Sequence, residues 1–198
     1  MAKRKFLLFD DGGGKARSSI EPVGNDQWLD SLKEGRRVGR PRRTPRFRIV
    51  PPLPRAEDMP WCGAAHVVSS RFRRFLQQEA PGHAQYFRAE MTGSKKLLSV
   101  LSPAEPYYVV NWLHLVDCID LKKSEYDVEH EPGEEPDYTF FRLKLDPARV
   151  PPDVLIFRLK YESTTTVIDA RLAEKIRRAG FVGPQFDPVQ GIAEAMGF

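Results

Sequence analysis

The chain has 198 residues, of which 41% are hydrophobic and 11% aromatic, a size and composition that suit one domain with a sizeable core. It has no run of 18 apolar residues, which excludes a membrane-spanning helix, and its two cysteines, too few for a disulfide framework, favour a reducing, cytoplasmic setting. The net charge of +4 hides an uneven distribution: seven arginines and no acid in the Arg-rich segment (residues 36–48), and seven acids with no Lys or Arg in the acidic segment (residues 125–137).

Six segments are predicted as strands, because they are rich in β-branched and aromatic residues and several alternate polar with apolar positions. They are residues 6–9, 47–50, 83–91, 107–121, 138–145 and 154–161. The last two are predicted to pair with each other. Their shared core face would then consist of Leu143, Leu145, Leu155, Phe157 and Leu159. The acidic segment, with its Pro and Gly, is predicted to be a loop.

Two main helices are predicted. The first covers residues 71–79, begins after a capping serine and presents an i, i+3, i+4 apolar face. The second covers residues 167–179, because Ile168, Leu172 and Ile176 recur at i, i+4, i+8. A polar gap precedes the second helix, and a glycine at position 180 is predicted to end it in the left-handed conformation.

The connections are mostly too short for crossover helices, which favours antiparallel pairing. The predicted fold class is therefore α+β, with a mostly antiparallel mixed sheet and two main helices packed on it. Residues 1–55 would contribute the first strand, a short helix and the Arg-rich segment, and residues 56–198 the main α+β domain. We expect the two parts to form one compact unit.

Residues of the kind that carry catalysis are few and scattered. Cys62 and His66 lie close together in sequence, but no third residue is recognisable to orient them. Asp117 and Asp120, and the acidic pair at residues 10–11, lie near predicted strand ends, where carboxylates hold metals but more often bind turn amides. The four histidines show no metal-ligand spacing. The sequence therefore predicts no enzyme, no metal and no cofactor.

The Arg-rich segment contains Gly39-Arg40-Pro41, which resembles the minor-groove core of an AT-hook. The arginine expected before the glycine is replaced by Val38, and the motif occurs once. The segment is compatible with a nucleic-acid-binding module, with a contact for another partner, or with a solvated loop beside a strand edge.

Three further motifs point to a family. They are an Ile156-Phe157-Arg158 strand, a Val116-Asp117-Cys118-Ile119-Asp120 run after a long aromatic strand, and a Gly180-x-x-Gly183-x-x-Phe186-x-Pro188-Val189 ending after a helix. Over about residues 61–189 the chain resembles a family of bacterial immunity proteins, typified by a myxobacterial member and formerly a domain of unknown function. The family is encoded beside polymorphic toxins and type VI secretion effectors.

The resemblance implies a cytoplasmic, non-catalytic protein that protects the producing cell by binding and neutralising one cognate toxin. The acidic segment would cover a basic active site, or the Arg-rich segment an acidic or metal-binding one; pairing between the two segments is a third possibility. The predicted partner contacts are Arg40, Arg42, Arg43, Arg46, Tyr126, Glu129, Glu131, Glu134, Glu135 and Tyr138. The alternative function is a nucleic-acid-binding module that uses the Arg-rich segment.

Overall fold

The computed structural model describes residues 4–11, 19–24, 27–51, 56–101, 106–130, 133 and 136–189. Within these residues the chain is α+β, as predicted. Its strands are β1 (Phe6–Asp10), β2 (Ser19–Pro22), β3 (Arg46–Val50), β4 (Val67–Ser69), β5 (Ala84–Thr92), β6 (Tyr107–Trp112), β7 (Leu115–Val116), β8 (Glu125–Glu129), β9 (Asp137–Arg142), β10 (Ile156–Leu159), β11 (Glu162–Asp169) and β12 (Gln185–Pro188). Its helices are α1 (Gln27–Asp30), α2 (Ser70–Glu79), α3 (Lys95–Val100) and α4 (Ala170–Arg178), with short 3-10 helices at Ser31–Glu34 and Pro147–Arg149.

The strands divide into two five-stranded sheets and a separate hairpin. Sheet I has the order β12-β1-β11-β10-β7, and sheet II the order β2-β3-β5-β6-β4. Pairing is antiparallel except between β7 and β10 in sheet I and between β3 and β5 in sheet II, which confirms the mostly antiparallel mixed arrangement. In sheet I, Leu8 of β1 lies opposite both Val167 of β11 and Asp187 of β12. The first strand is therefore held by the C-terminal elements.

A hydrophobic cluster joins the two sheets to the two main helices. Its buried members are Phe9, Ile156 and Ile168 from sheet I, Val68, Val110 and Trp112 from sheet II, Phe72 and Leu76 from α2, and Leu172, Ala173 and Ile176 from α4. Burial of each large apolar side chain contributes about 1.5–3 kcal/mol. Helix α2 begins as predicted, since the Ser69 hydroxyl oxygen accepts a hydrogen bond from the Phe72 amide at 3.1 Å.

The polar gap predicted over residues 163–166 and the helix start predicted at residue 167 are both wrong. Strand β11 occupies Glu162–Asp169, and α4 begins only at Ala170, because the Asp169 carboxylate accepts a hydrogen bond from the Arg171 amide at 2.9 Å and caps the helix. Ile168 is therefore a strand residue that lies, by coincidence, one helical period before Leu172. Helix α4 ends as predicted, with Gly180 at a φ of +66°.

The acidic segment is predicted to be a loop, but its residues 125–129 form a strand and its last residue begins another. Strand β8 pairs with β9, in a register that sets Tyr126 opposite Phe140 and Val128 opposite Tyr138. The predicted pairing of residues 138–145 with 154–161 is therefore wrong, because β9 is used by β8, and β10 pairs with β7 and β11. Leu143, Phe157 and Leu159 still share one hydrophobic cluster, whereas Leu155 packs against the other.

Two smaller differences concern the middle of the chain. The long strand predicted over residues 107–121 stops at Trp112, and Leu115–Val116 form a separate strand that lies in the other sheet. Residues 95–101, which have no clear sequence pattern, include helix α3, whose first turn is capped by the Ser94 hydroxyl oxygen accepting from the Leu97 amide at 3.3 Å.

Candidate partner-binding surfaces

Strands β8 and β9, called the acidic hairpin below, have one aromatic face. Tyr126, Val128, Tyr138 and Phe140 share this face, because they are cross-strand partners and alternate along each strand. The Tyr138 ring lies 5.6 Å from the Tyr126 ring and 5.1 Å from the ring of Tyr161, which follows β10 of sheet I. The aromatic face therefore attaches the hairpin to the body of the protein.

The rest of the acidic hairpin faces solvent. Asp127, Glu129 and Asp137 are exposed, and none of them forms an ion pair with another residue in the described ranges. Phe141, at the point where the register of the two strands shifts, is 49% exposed. Exposed carboxylates beside a large exposed apolar side chain suit the docking of a positively charged protein surface.

The predicted contacts of the acidic segment lie in different environments. Glu129 is on the solvent face, whereas Tyr126 and Tyr138 are half-buried in the aromatic face. Glu131, Glu134 and Glu135 lie outside the described residues. Three of the solvent-facing groups, Asp127, Asp137 and Phe141, are absent from the predicted set. The alternation of Tyr126 and Val128 with acidic residues is the signal by which a strand, and hence its outward positions, could have been predicted.

The Arg-rich segment lies against sheet II through its backbone. The Gly39 carbonyl accepts a hydrogen bond from the Trp28 indole at 3.1 Å, and the Val38 amide donates to the Gln85 side chain at 2.9 Å. The Arg36 carbonyl accepts from the Asn111 side chain at 2.8 Å. These bonds fix the path of the backbone and leave the arginine side chains outside.

All four predicted contacts of the Arg-rich segment are exposed. Arg46 lies 3.5 Å from Glu90, whereas Arg40, Arg42 and Arg43 have no carboxylate partner in the part of the chain that the structure describes. The ion pairs of this segment are made with acids of sheet II and its neighbours, and none is made with the acidic hairpin. Across the described residues, the two oppositely charged segments therefore do not pair with each other.

A cavity of about 310 Å³ lies where β1, the loop after Trp61, β10 and β11 meet. Cys62 and His66 both line this cavity, so a Cys/His nucleophile would have to act here. Burial raises the pKa of the Cys62 thiol, and burial together with the charge of Arg158 lowers the pKa of His66 to about 4. The His66 Nδ1 accepts a hydrogen bond from the Trp112 indole at 2.8 Å. A thiol held neutral beside an imidazole that is a weak base does not form an activated nucleophile.

Asp11 lies in the wall of the same cavity and is 2% exposed. Its Oδ2 accepts a hydrogen bond from the Cys62 amide at 2.8 Å. Burial, and next a hydrogen bond and charge repulsion from the Asp10 carboxylate, raise the pKa of Asp11 to about 9. At neutral pH Asp11 is therefore a neutral carboxylic acid, and its hydrogen bond links the end of β1 to the loop after Trp61.

The other carboxylates considered as metal ligands have structural partners. Asp117 accepts hydrogen bonds from Arg149 at 2.6 Å and from the Tyr161 hydroxyl at 3.3 Å, and Asp120 pairs with Lys123 at 2.6 Å. No group of three or more His, Cys, Asp or Glu side chains that would hold a metal occurs among the described residues. Across the same residues, no helix is long and apolar enough to cross a membrane.

Residues 16–191 match the model of an immunity protein family. The chain belongs to that family, Imm11, which confirms the family predicted from the sequence. The match begins further towards the N-terminus than the resemblance visible in the motifs, and it includes the Arg-rich segment as well as the acidic hairpin. Comparison with curated proteins gave no significant match.

Proposed function

We propose that this protein binds one cognate toxin of a polymorphic or type VI secretion system by direct contact in the cytoplasm, and so protects the producing cell. Membership of an immunity protein family supports the protective role and a toxin partner in general. The observation that supports direct contact is the solvent face of the acidic hairpin, where Asp127, Glu129 and Asp137 have no ion pairs among the described residues.

The acidic hairpin would act by covering a positively charged active site. A toxin that acts on an anionic substrate, such as a nucleic acid, presents cations there, and exposed carboxylates speed encounter with such a surface. Phe141 supplies an aromatic anchor at the same place, because aromatic side chains carry much of the energy of protein interfaces. The proposed contacts are Glu129 and the glutamates between the two strands, Glu131, Glu134 and Glu135. Tyr126 and Tyr138 would support the hairpin by packing against the body of the protein.

The test begins with a protein encoded beside this chain that stops growth when it is expressed alone, and this chain is then co-expressed with it. The purified pair is then studied by calorimetry and stopped-flow mixing. For the triple variant Asp127→Asn, Glu129→Gln, Asp137→Asn we expect at least about tenfold weaker affinity, mainly through slower association, with an unchanged melting temperature. The control variant is Asp30→Asn, Asp153→Asn, Asp187→Asn, which removes three exposed acids elsewhere.

Two results would contradict the proposal. Growth inhibition that co-expression of this chain does not relieve would reject the neutralising function. Relief together with equal affinity of the hairpin variant, the control variant and the unaltered protein would keep the function and reject the acidic hairpin as the contact.

A second candidate function, a nucleic-acid-binding module, is favoured by one observation. Arg40, Arg42 and Arg43 are exposed and have no carboxylate partner in the described ranges. Phosphate contacts release counterions, so binding of this kind weakens steeply as the salt concentration rises. Toxin capture that survives high salt and nuclease would count against it.

A further inference from the structure

Arg158 is a buried cation that has no counter-ion among the described residues. It lies in the middle of β10, is 5% exposed and lines the cavity between β1, β10 and β11. Its Nη1 donates to the backbone carbonyls of Ser163 at 2.6 Å and Thr164 at 3.3 Å. Its Nε has no hydrogen-bond partner, and no carboxylate lies within ion-pair distance of the guanidinium in the part of the chain that the structure describes. One edge of the guanidinium therefore has unused donors.

A second wall residue repeats this pattern. Thr166 of β11 is 3% exposed and lines the same cavity, and its Oγ1 also has no hydrogen-bond partner among the residues that the structure describes. Buried polar groups are normally hydrogen-bonded, and a buried charge is normally paired, because desolvation without compensation is costly. Two unsatisfied polar side chains in one cavity wall mark a place where a ligand supplies the missing partner.

The cavity favours a ligand with a single negative charge. Arg158 brings one positive charge, and burial lowers its pKa only to about 10, so it remains a cation at neutral pH. Among the lining residues that the structure describes, the other cation is Lys33, which already pairs with Asp30 at 3.0 Å. Asp11 is a neutral acid at this pH, and its hydrogen bond with the Asp10 carboxylate, which also lies in the lining, leaves one negative charge on the pair. A doubly charged phosphate would need a second free cation, whereas a carboxylate matches one guanidinium fork.

We propose that this cavity binds a carboxylate group, which pairs with Arg158 and whose hydrocarbon part packs against Phe9 and Trp61. The volume of about 310 Å³ suits a molecule of the size of an amino-acid side chain or a small organic acid. The carboxylate has two possible sources, a free small acid or an acidic side chain of a bound protein. The site shares no residue with the acidic hairpin, so the proposal stands or falls independently of the proposed toxin contact.

The test uses the full chain and follows the indole N–H signal of Trp61 by NMR while carboxylates are added at constant ionic strength, with chloride as the reference. Trp61 lies in the cavity wall, and its signal is assigned with Trp61→Phe. The probes are butyrate as a free acid, and N-acetyl-glutamate methylamide, whose only carboxylate is that of the side chain. Inorganic phosphate is the third probe. We expect saturable shifts with a carboxylate probe at about millimolar concentration, and none with chloride.

Three variants assign the effect to Arg158. Arg158→Met should weaken binding of the carboxylate at least about tenfold. Arg158→Lys keeps the positive charge, so we expect it to fold even if the methionine variant does not. It should bind the carboxylate several-fold more weakly, because an ammonium group cannot form the two parallel hydrogen bonds of a guanidinium. Lys122→Met removes an exposed cation that lies outside the cavity lining and should bind as the unaltered protein does.

The relative affinities of the probes distinguish the two sources of the carboxylate. Tighter binding of butyrate than of the capped glutamate identifies a free acid as the ligand, and the reverse order identifies an acidic side chain of a partner; both support the site. Absence of saturable shifts with either carboxylate, phosphate binding in preference to both, or equal binding by the Arg158 variants would overturn the proposal.

Discussion

A buried carboxyl group at Asp11 makes stability depend on pH in an unusual direction. Its pKa of about 9 in the folded protein lies far above the value of an exposed aspartate. Between about pH 4 and pH 9 the folded state therefore holds a proton that the unfolded state has released. The contribution of Asp11 to the free energy of unfolding is largest at low pH and declines as the pH rises through this window.

Substitution of Asp11 by Asn tests whether Asp11 makes the free energy of unfolding fall as the pH rises. The amide keeps an oxygen for the Cys62 amide hydrogen but has no proton to lose, so we expect the variant to be more stable than the unaltered protein at pH 7 by at least about 1 kcal/mol. The difference should grow towards pH 8.5 and vanish near pH 4. Urea unfolding at several pH values measures it. Asp153→Asn, which removes an exposed carboxylate elsewhere, is the control, and unchanged stability of the Asp11→Asn variant at pH 7 would contradict the assignment.

At the scale of an element, the segment after α4 is held by a close backbone approach. Asp58 and Met59 donate backbone hydrogen bonds to the Val182 carbonyl at 2.8 and 3.1 Å, and the Asp58 carboxylate accepts from the Val182 amide at 3.1 Å. Gly183 follows at a φ of +112°, and a Cβ there would lie 2.1 Å from the Met59 carbonyl oxygen. Only glycine fits this position, both for its backbone angle and for the space.

The glycine pair 180 and 183 provides a matched comparison. Gly183→Ala should lower the free energy of unfolding by about 2–4 kcal/mol, because it adds a backbone clash to an unfavourable φ. Gly180→Ala, with a φ of +66° and open space around the position, should cost only about 1–2 kcal/mol. Chemical denaturation of both variants is the measurement. Equal losses would show that the approach to Met59 is not tight in solution.

The same elements show what the sequence could and could not predict. The cap at Ser69, the left-handed Gly180 and the strand at residues 47–50 follow from local chemistry, and all three are confirmed. Strand β11 escapes prediction because Ile168 and Leu172 happen to be four residues apart across a strand-to-helix junction. Local periodicity carries no information about which strand becomes the neighbour of another.

The cavity around Arg158 illustrates the same limit for sites. In the sequence, Arg158 is one polar residue in an alternating strand, a pattern typical of an exposed position. Its burial results from the neighbouring β11 and β7, which come from distant parts of the chain. The charged segments, by contrast, are visible in the composition, although only the structure shows that they contact different parts of the protein.

At the scale of the whole molecule, the two oppositely charged segments lie against different parts of the protein. The Arg-rich segment lies against sheet II, and the acidic hairpin packs on residues beside sheet I. A binding protein with this arrangement presents two electrostatically distinct faces, and a partner with a dipolar surface would be oriented as it approaches.

Replacement of Arg40, Arg42 and Arg43 by Ser tests the role of the basic face. These side chains are exposed and without carboxylate partners in the described chain, so the melting temperature should stay within about 2 °C. We expect toxin affinity to fall about two- to tenfold at low salt and less at high salt. The control is Arg88→Ser, Lys95→Ser, Lys122→Ser. A large loss of stability would show a structural role, and a loss of DNA binding alone would favour the nucleic-acid-binding function.

The place of β1 between β11 and β12 determines when sheet I can be completed in a newly synthesised chain. Sheet II uses residues 19–112 and can pair while the ribosome is still translating, whereas Leu7 finds its neighbours Ile168 and Pro188 only after almost the whole chain has been made. Pairing across such sequence distance is slow. Because the acidic hairpin packs on Tyr161, beside sheet I, we expect the hairpin to gain its support only after the final strands have been made.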